Sequence, residues 1–508
     1  MPSEIKRIDE IVDLMRRWVG DRPIIGDGAC VLTGRELADS VDELAETLRR
    51  RGVRPGDRVI VALENTVGGG ICLLAAARVG AWVCPLNARL TDREIEAIQA
   101  HAGARLSLYA SGQSAAAEAH ARTAGASPHE LTHGGLVHIG AVAEATPEPV
   151  EADSRAAVAA VLYTSGTTGK PKGVMLTHAN LLFVARTSGR QRKLTPADHV
   201  YLVLPISHVF GLASMFFGTL YHQARLLLAP RYEAARAASA LAEQGISIFQ
   251  GVPTMFQRLL EHAEVTGRPV AAPNLRFISS GGAPLDLALK RRIEEMWGLP
   301  LHNGYGLTET SPTVTTTFLD PRAEDDTVGR VAADVEVRIA DPETGAALPA
   351  GMVGEIWVRG PNIMKGYYHA PAETAAALTP DGWFRSGDLG RLSENGNLYI
   401  AGRIKELIIR SGFNVYPPEV EAVLNDFPGI VFSAVVGVGV PGNEEVVAFL
   451  QPIPGAEIQL PALEAHVAER LAPYKRPARY HIRDALPMTT SGKVRKTELK
   501  RELAERPL

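Results

Sequence analysis

Leu162 to His178 reads LYTSGTTGKPKGVMLTH, an apolar run that meets a loop crowded with small hydroxyl residues, glycines and lysines. That composition suits a chain of phosphates. Gly166 and Gly169 let backbone N–H groups turn towards an anion, Thr164, Ser165, Thr167 and Thr168 supply hydroxyl donors, and Lys172 supplies a full positive charge. The spacing is not that of a Walker loop, because only two residues separate Gly166 from Gly169 and Pro171 follows Lys170 where a Ser or Thr is required. Polyphosphate binding of another kind is the expectation.

Five other clusters carry related chemistry. SSGGAP at 279–284 and GYGLTET at 304–310 set glycines beside an aromatic ring and a Thr–Glu pair, and GWFRSGDLG at 382–390 places a carboxylate in a turn. GRIKELIIRSGFNVYPPEVE at 402–421 concentrates cations, and PMTTSGKVRK at 487–496 brackets Lys493 with small residues. A carboxylate such as Glu309 suits a hard cation, and an ionised Asp388 can accept two hydroxyls at once. In their order along nearly the whole chain, these clusters resemble the adenylate-forming superfamily, most of all its acyl-CoA synthetases of the 4-coumarate and fatty-acid ligase type. The resemblance implies an ATP-dependent carboxylate:CoA ligase, an acid–thiol ligase that makes an acyl adenylate and then an acyl-CoA thioester from a small carboxylic acid, with ATP, magnesium and coenzyme A. An adenylating enzyme that loads a carrier protein, or one with another non-CoA acceptor, is the alternative.

The resemblance also assigns roles. Thr308 contacts the α-phosphate, and Glu309 with Thr164 holds magnesium. Thr164, Ser165, Gly166, Thr167, Thr168 and Lys172 cradle the phosphates. Tyr305 stacks on adenine, with Gly282, Ala283 and Pro284 as the opposite wall and Asn303 near the exocyclic amine, and Gly304 is a further nucleotide-binding residue. Asp388 accepts both ribose hydroxyls, and Arg403 also reaches the nucleotide. Lys493 bridges the substrate carboxylate and the α-phosphate during adenylation. Lys405 is the pivot about which a small, mobile domain turns between the half-reactions. After that rotation Ser411, Gly412 and Asn414 face the pantetheine tunnel, and Arg231 meets the CoA nucleotide phosphates. Ile409 stands where some ligases of this type carry a second lysine, so one nucleotide contact is missing.

His208 occupies the position that gates the acyl pocket in the family, although a His beside apolar residues serves equally as packing. Val209, Phe210, Val252, Ile278, Ser279, Leu307 and Pro312 line the expected pocket, and none is charged. A second carboxylate would call for an arginine and an amino acid for an aspartate. An apolar monocarboxylate, aromatic or medium-chain aliphatic, is therefore the expected substrate. The sequence does not identify which.

Alternation of period positions these residues. TGRELADSVDELAETLRRR, 33–51, reads as an amphipathic helix, VIVALE as a buried strand, and GGGICLLAAARVGAWVCPL as a buried helix running into a strand. The alternation continues to LRFISSGGAP, which indicates a large N-terminal domain, 1–402, of layered, mainly parallel α/β sheets. Short strands and Pro/Gly turns around 335–361 imply a small barrel-like β unit at its end. Residues 403–508 suffice for a small α+β domain with its hinge near Lys405. GVGVPG at 437–442 spells GxGxxG, but Pro441 and a strand-like EVVAFL follow where a helix should begin, so dinucleotide binding is rejected.

A length of 508 residues calls for two or three domains, and 46% hydrophobic with 22% charged residues is ordinary for a globular enzyme. The net charge of -4 provides no basic face for nucleic acid. Cys30, Cys72 and Cys84 form no CxxC pair and read as packing residues. The N-terminus lacks the unbroken apolar centre of a signal peptide, and Arg78 interrupts the most apolar stretch, so no transmembrane segment and a cytoplasmic location are expected. Monomer and homodimer both stay open.

Overall fold

The computed structural model describes residues 5–165, 171–319, 325–440, 443–453, 455–488 and 494–505. Gly166, Thr167, Thr168 and Lys493, together with the Ser165 side chain, lie outside the described residues.

The amphipathic pattern at 33–51 becomes the helix Gly34–Arg50. Thr33 Oγ1 accepts from Glu36 N–H at 3.2 Å, and the Glu36 carboxylate accepts from Thr33 N–H at 2.8 Å, so the helix start satisfies its own orphan donors. Leu37, Val41, Leu44 and Leu48 form its buried stripe. That stripe packs near the helix Val67–Arg78, buried along almost its whole length, which is why this stretch is so apolar. Among the described residues no helix is long and apolar enough to cross a membrane.

Two sheets make the body of the large domain. Parallel strands Arg58–Leu63, Trp82–Asn87, Leu106–Tyr109 and Val158–Ser165 centre an eight-stranded sheet, extended by antiparallel strands that include Pro171–Thr177 and Gly366–Tyr367. Strands Leu301–His302, Phe277–Ser280, Ile248–Gly251, His199–Leu202, Arg225–Leu228 and Pro23–Gly26 run parallel in a seven-stranded sheet. One continuous apolar cluster joins residues of both sheets and of the helix His178–Gln191. Sheets covered on both faces explain the Val, Ile and Leu runs in the sequence.

The short strands expected as a barrel-like unit belong to a seven-stranded antiparallel sheet. Its order runs Gly304–Tyr305, Thr315–Thr316, Gly329–Val331, Asn397–Arg403, Phe384–Leu392, Gly354–Arg359, Glu336–Ala340. A smaller C-terminal α+β domain follows. Its two apolar clusters contain only residues from Ile408 onward, packed between the strands Ile430–Val440, Asn443–Pro452 and Arg479–Ile482 and three helices. Gly437–Val440 of the GVGVPG stretch lies in a strand that pairs antiparallel with the strand Asn443–Pro452, so a strand and not a helix comes after it.

Candidate active site

Several of the candidate residues lie at the carboxyl ends of parallel strands, where loops are free to carry chemistry. Strand Val158–Ser165 carries Thr164, Ile248–Gly251 leads to Val252, Phe277–Ser280 to 281–284, and Leu301–His302 to 303–305.

Antiparallel pairing of Phe384–Leu392 with Asn397–Arg403 sets Asp388 opposite Arg403, and Arg403 Nε lies 2.9 Å from Asp388 Oδ1. The Tyr305 hydroxyl donates to Asp388 Oδ2 at 2.7 Å. Burial, and then the Asp388 charge, hold the Tyr305 phenol well above its usual range, so it remains a donor. The same carboxylate raises the Arg403 guanidinium. Gly387, at φ +70°, makes the turn that carries Asp388. Its N–H donates to Glu355 Oε1 at 3.0 Å while the Trp357 indole donates to Glu355 Oε2 at 2.8 Å. Glu355, 3% exposed, thus fixes the turn from behind. Sequence reasoning passes over it; the signal is a carboxylate inside the apolar strand pattern VGEIWV. Asn303 spends its side-chain oxygen on Gly304 N–H at 2.9 Å, and its Nδ2 lies 3.5 Å from Thr327 O.

The second group lies around Glu309, in a short 3-10 turn, Thr308–Thr310, with Thr308 buried. The Tyr367 hydroxyl donates to Glu309 Oε1 at 2.9 Å, and the Lys172 ammonium sits 3.5 Å from the centre of the Tyr367 ring. Lys172 pairs in register with Thr164 across the antiparallel hairpin. Tyr367 therefore joins Lys172, the candidate phosphate-binding lysine, to the candidate metal carboxylate, yet in the sequence it is only one of two adjacent tyrosines. Burial lowers the Lys405 ammonium, and Arg403 and Lys172 lower it further, so all three cations share one field. Among the described residues no three His, Cys, Asp or Glu side chains cluster as a metal cage. Glu309 and the Thr164 hydroxyl, the candidate metal residues, are hard oxygen donors of the kind magnesium takes, an ion that keeps waters and phosphate oxygens as further ligands.

At the acyl end, Val209, Val252 and Ser279 are buried, and His208, Phe210, Leu307 and Pro312 are half-buried. His208 Nδ1 accepts from Phe210 N–H at 3.4 Å. The Phe210 ring covers Gly281 so closely that a Cβ there would meet it at 3.0 Å. Ile278 faces away from Ser279, into a cluster with Phe249, Leu289 and Ile293 on the other side of its strand. A Cβ on Gly306 would lie 1.2 Å from Pro312 O, so the GYG turn tolerates no side chain at that point.

The candidate CoA residues occupy two places. Arg231 Nε lies 3.1 Å from Glu64 Oε1, an oxygen shared with Arg89 at 3.2 Å. Ser411, Gly412 and Asn414 are exposed on the hairpin of Ile408–Arg410 and Phe413–Val415, with Ser411 at φ +54° and Gly412 at +81°. Asn443 grips that tip through Ser411 N–H at 2.6 Å. Burial pushes the Cys72 and Cys84 thiols up to about 12, which favours their protonated form.

The chain matches the family model of the AMP-binding enzyme over residues 15–368, and that of the AMP-binding enzyme C-terminal domain over 419–493. It is 35% identical over 484 residues to a feruloyl-CoA synthase of an Amycolatopsis species, covering 93% of this chain and 94% of that protein. It is 33% identical over 533 residues to the 3-[(3aS,4S,7aS)-7a-methyl-1,5-dioxo-octahydro-1H-inden-4-yl]propanoyl:CoA ligase of Mycobacterium tuberculosis, covering 98% and 99%. Its fold is similar to the crystal structure of ATP-bound MatB from Rhodopseudomonas palustris, with a TM-score of 0.83, 32% identity and coverage of 98% and 99%. Matched through both its large and its small domain, the chain belongs to the family of AMP-binding enzymes, within the adenylate-forming superfamily.

Proposed function

We propose that the chain is an AMP-forming acid–thiol ligase that activates an aromatic or medium-chain aliphatic monocarboxylate and passes it to free coenzyme A. One observation carries the reading. Asp388 sits between Tyr305 and Arg403, Glu309 is tied through Tyr367 to Lys172, and Lys405 feels the cations of both groups. That is an arrangement for holding a nucleotide and its phosphates together.

In the first half-reaction a carboxylate oxygen of the acid attacks the α-phosphorus of ATP, the bond to the bridging oxygen breaks, and pyrophosphate leaves. Two anions meet, so positioned cations are the main requirement. Asp388 holds the ribose, Tyr305 and 282–284 hold adenine, Thr308 takes the α-phosphate, and 164–168 with Lys172 take the rest. Glu309 and Thr164 would hold magnesium, which supplies neutralisation of phosphate charge. Lys493, carried by the small domain, bridges the two reacting anions. In the second half-reaction the thiol of coenzyme A loses its proton, its sulfur attacks the acyl carbon, and AMP departs. The large domain is 1–402 and the small one 403–508, with Lys405 at the hinge. We place the reaction in the cytoplasm, in aromatic- or fatty-acid metabolism.

The relatives support the ligase reaction but differ in their named acids, a feruloyl group in one and a bicyclic dioxo propanoate in another. The test supplies ATP, magnesium and free coenzyme A with a panel of benzoates, cinnamates, fatty acids, malonate and amino acids, reading AMP release and acyl-CoA by mass spectrometry. Acyl-CoA from the monocarboxylates is expected. AMP release without acyl-CoA would move the reading to a carrier-protein or other acceptor, and response to malonate or amino acids alone would overturn the acid class.

A further inference from the structure

Arg192 is 1% exposed, one of the largest fully buried side chains in the molecule. Its guanidinium donates to neutral oxygens: Nε to Ser188 O at 2.9 Å, one terminal nitrogen to Ser188 Oγ at 3.0 Å and to Ser214 O, and the other to Gln250 Oε1. A cation without a contacting carboxylate is costly to bury. Burial, and then Arg276, push it down to about 9, which still leaves it charged at neutral pH. Its field therefore orients its neighbours.

The orientation passes along one line. Because Arg192 can only donate, the Gln250 amide must turn its oxygen towards it, and its Nε2 then donates to Ser279 Oγ at 2.7 Å. Gln250 and Ser279 are register partners on adjacent parallel strands, each 2% exposed. With that lone pair occupied by Gln250, the Ser279 O–H is left to donate elsewhere, and no acceptor for it is found among the described residues. Two residues further along the same face lies Gly281, under the Phe210 ring, at the acyl end of the site.

We propose that Arg192, Gln250 and Ser279 form a polarised relay that presents the Ser279 proton to the acyl group, so that the preferred acid carries an oxygen acceptor, an ether, carbonyl or hydroxyl oxygen, on its distal part. The inference rests on the ligase reading and narrows its substrate class. An acid lacking that oxygen leaves a buried donor unpaired, at a cost of about 1–3 kcal/mol, or roughly five- to 150-fold in kcat/KM.

The test compares shape-matched pairs, 4-methoxycinnamate with 4-ethylcinnamate and 7-oxooctanoate with octanoate, with kcat/KM read as acyl-CoA formed. The methoxy and keto oxygens accept but cannot donate, which isolates the direction of the relay. Wild type is expected to favour the oxygenated member of at least one pair about tenfold or more. Ser279→Ala should collapse that ratio towards one. Gln250→Glu should collapse it too, because a carboxylate there accepts from both Arg192 and the Ser279 hydroxyl and so takes the proton away from the pocket. A purely structural role would lower both members of a pair together and leave the ratio unchanged. Equal use of both members by wild type, or a ratio that survives either substitution, overturns the relay. Absence of AMP release with every acid overturns the ligase reading beneath it.

Discussion

Tyr367 has two neighbours whose roles depend on its different parts. Its hydroxyl fixes one Glu309 oxygen, and its ring carries the Lys172 ammonium. Tyr367→Phe keeps the cation over an aromatic face and removes only the hydrogen bond to the carboxylate. Hydrogen bonds to charged groups contribute about 1.5–3 kcal/mol, so adenylation should fall about ten- to 150-fold and need more magnesium for half-saturation. ATP–pyrophosphate exchange across a magnesium series checks this, and an unchanged magnesium requirement would refute the link. Tyr305, Asp388, Arg403 and Glu309 could be singled out in the sequence because each sits in a short cluster whose residue types suit a nucleotide, and the structure brings Tyr305, Asp388 and Arg403 into contact. Tyr367, Glu355 and Gln250 were not. Tyr367 lies 58 residues from Glu309, Glu355 lies 32 from Gly387, and Gln250 lies 58 from Arg192, and nothing local marks them as partners. Arg192 follows the helix His178–Gln191 and stands in no cluster that the sequence analysis singled out.

The helix His178–Gln191 shows the same division between local and distant signals at the scale of an element. Its start is written locally: Thr177 Oγ1 accepts from Asn180 N–H at 3.1 Å, and Asn180 Oδ1 accepts from Thr177 N–H at 2.9 Å. Its tie to the N-terminal segment is not, since His178 Nδ1 accepts from Ile8 N–H at 3.1 Å across 170 residues. The antiparallel sheet behaves likewise: its short strands and turns were readable, whereas the joining of Gly304–Tyr305 and Thr315–Thr316 to strands beyond residue 328 was not. Burial, and then Arg7, push His178 down to about 3 from 6.5. Its neutral form is favoured in the fold, so its contribution is complete above about pH 6.5 and fades as pH falls towards 3. By pH 5 the loss relative to pH 7.5 is about 2 kcal/mol, because the unfolded chain takes up a proton that the folded chain refuses. Thermal melts across that range should show this acid-side loss in wild type and a weaker one in His178→Gln. Parallel curves for the two proteins would remove His178 as the cause.

At the scale of the whole molecule, the link between the domains is short. Arg403 ends a strand of the large domain's antiparallel sheet, and Ile408, fully buried, begins the small domain's core. Residues 404–407 lie between, with Lys405 in the 3-10 turn Ile404–Glu406. On the small domain's side, Lys496 Nζ is 3.3 Å from Glu406 and 2.7 Å from Glu421, which ties the Glu406 side chain to that domain, and we propose Lys405, just before it, as the place of a large backbone change. If one site serves both half-reactions, the Lys493 charge must leave when the thiol arrives. Proline at 405 fixes φ near the value a 3-10 turn already uses and so resists a large change of φ there. Lys405→Pro should therefore keep adenylation within about tenfold while slowing thioester formation at least 100-fold, with Lys405→Ala as the control that removes charge but not freedom. Lys493→Ala should do the reverse, depressing adenylation by at least 100-fold and leaving transfer from a synthetic acyl adenylate within about tenfold. Single-turnover assays of each half-reaction separate the two. Should both variants damage the two steps equally, rotation about Lys405 would have no support, and the small domain would be a fixed wall of the site.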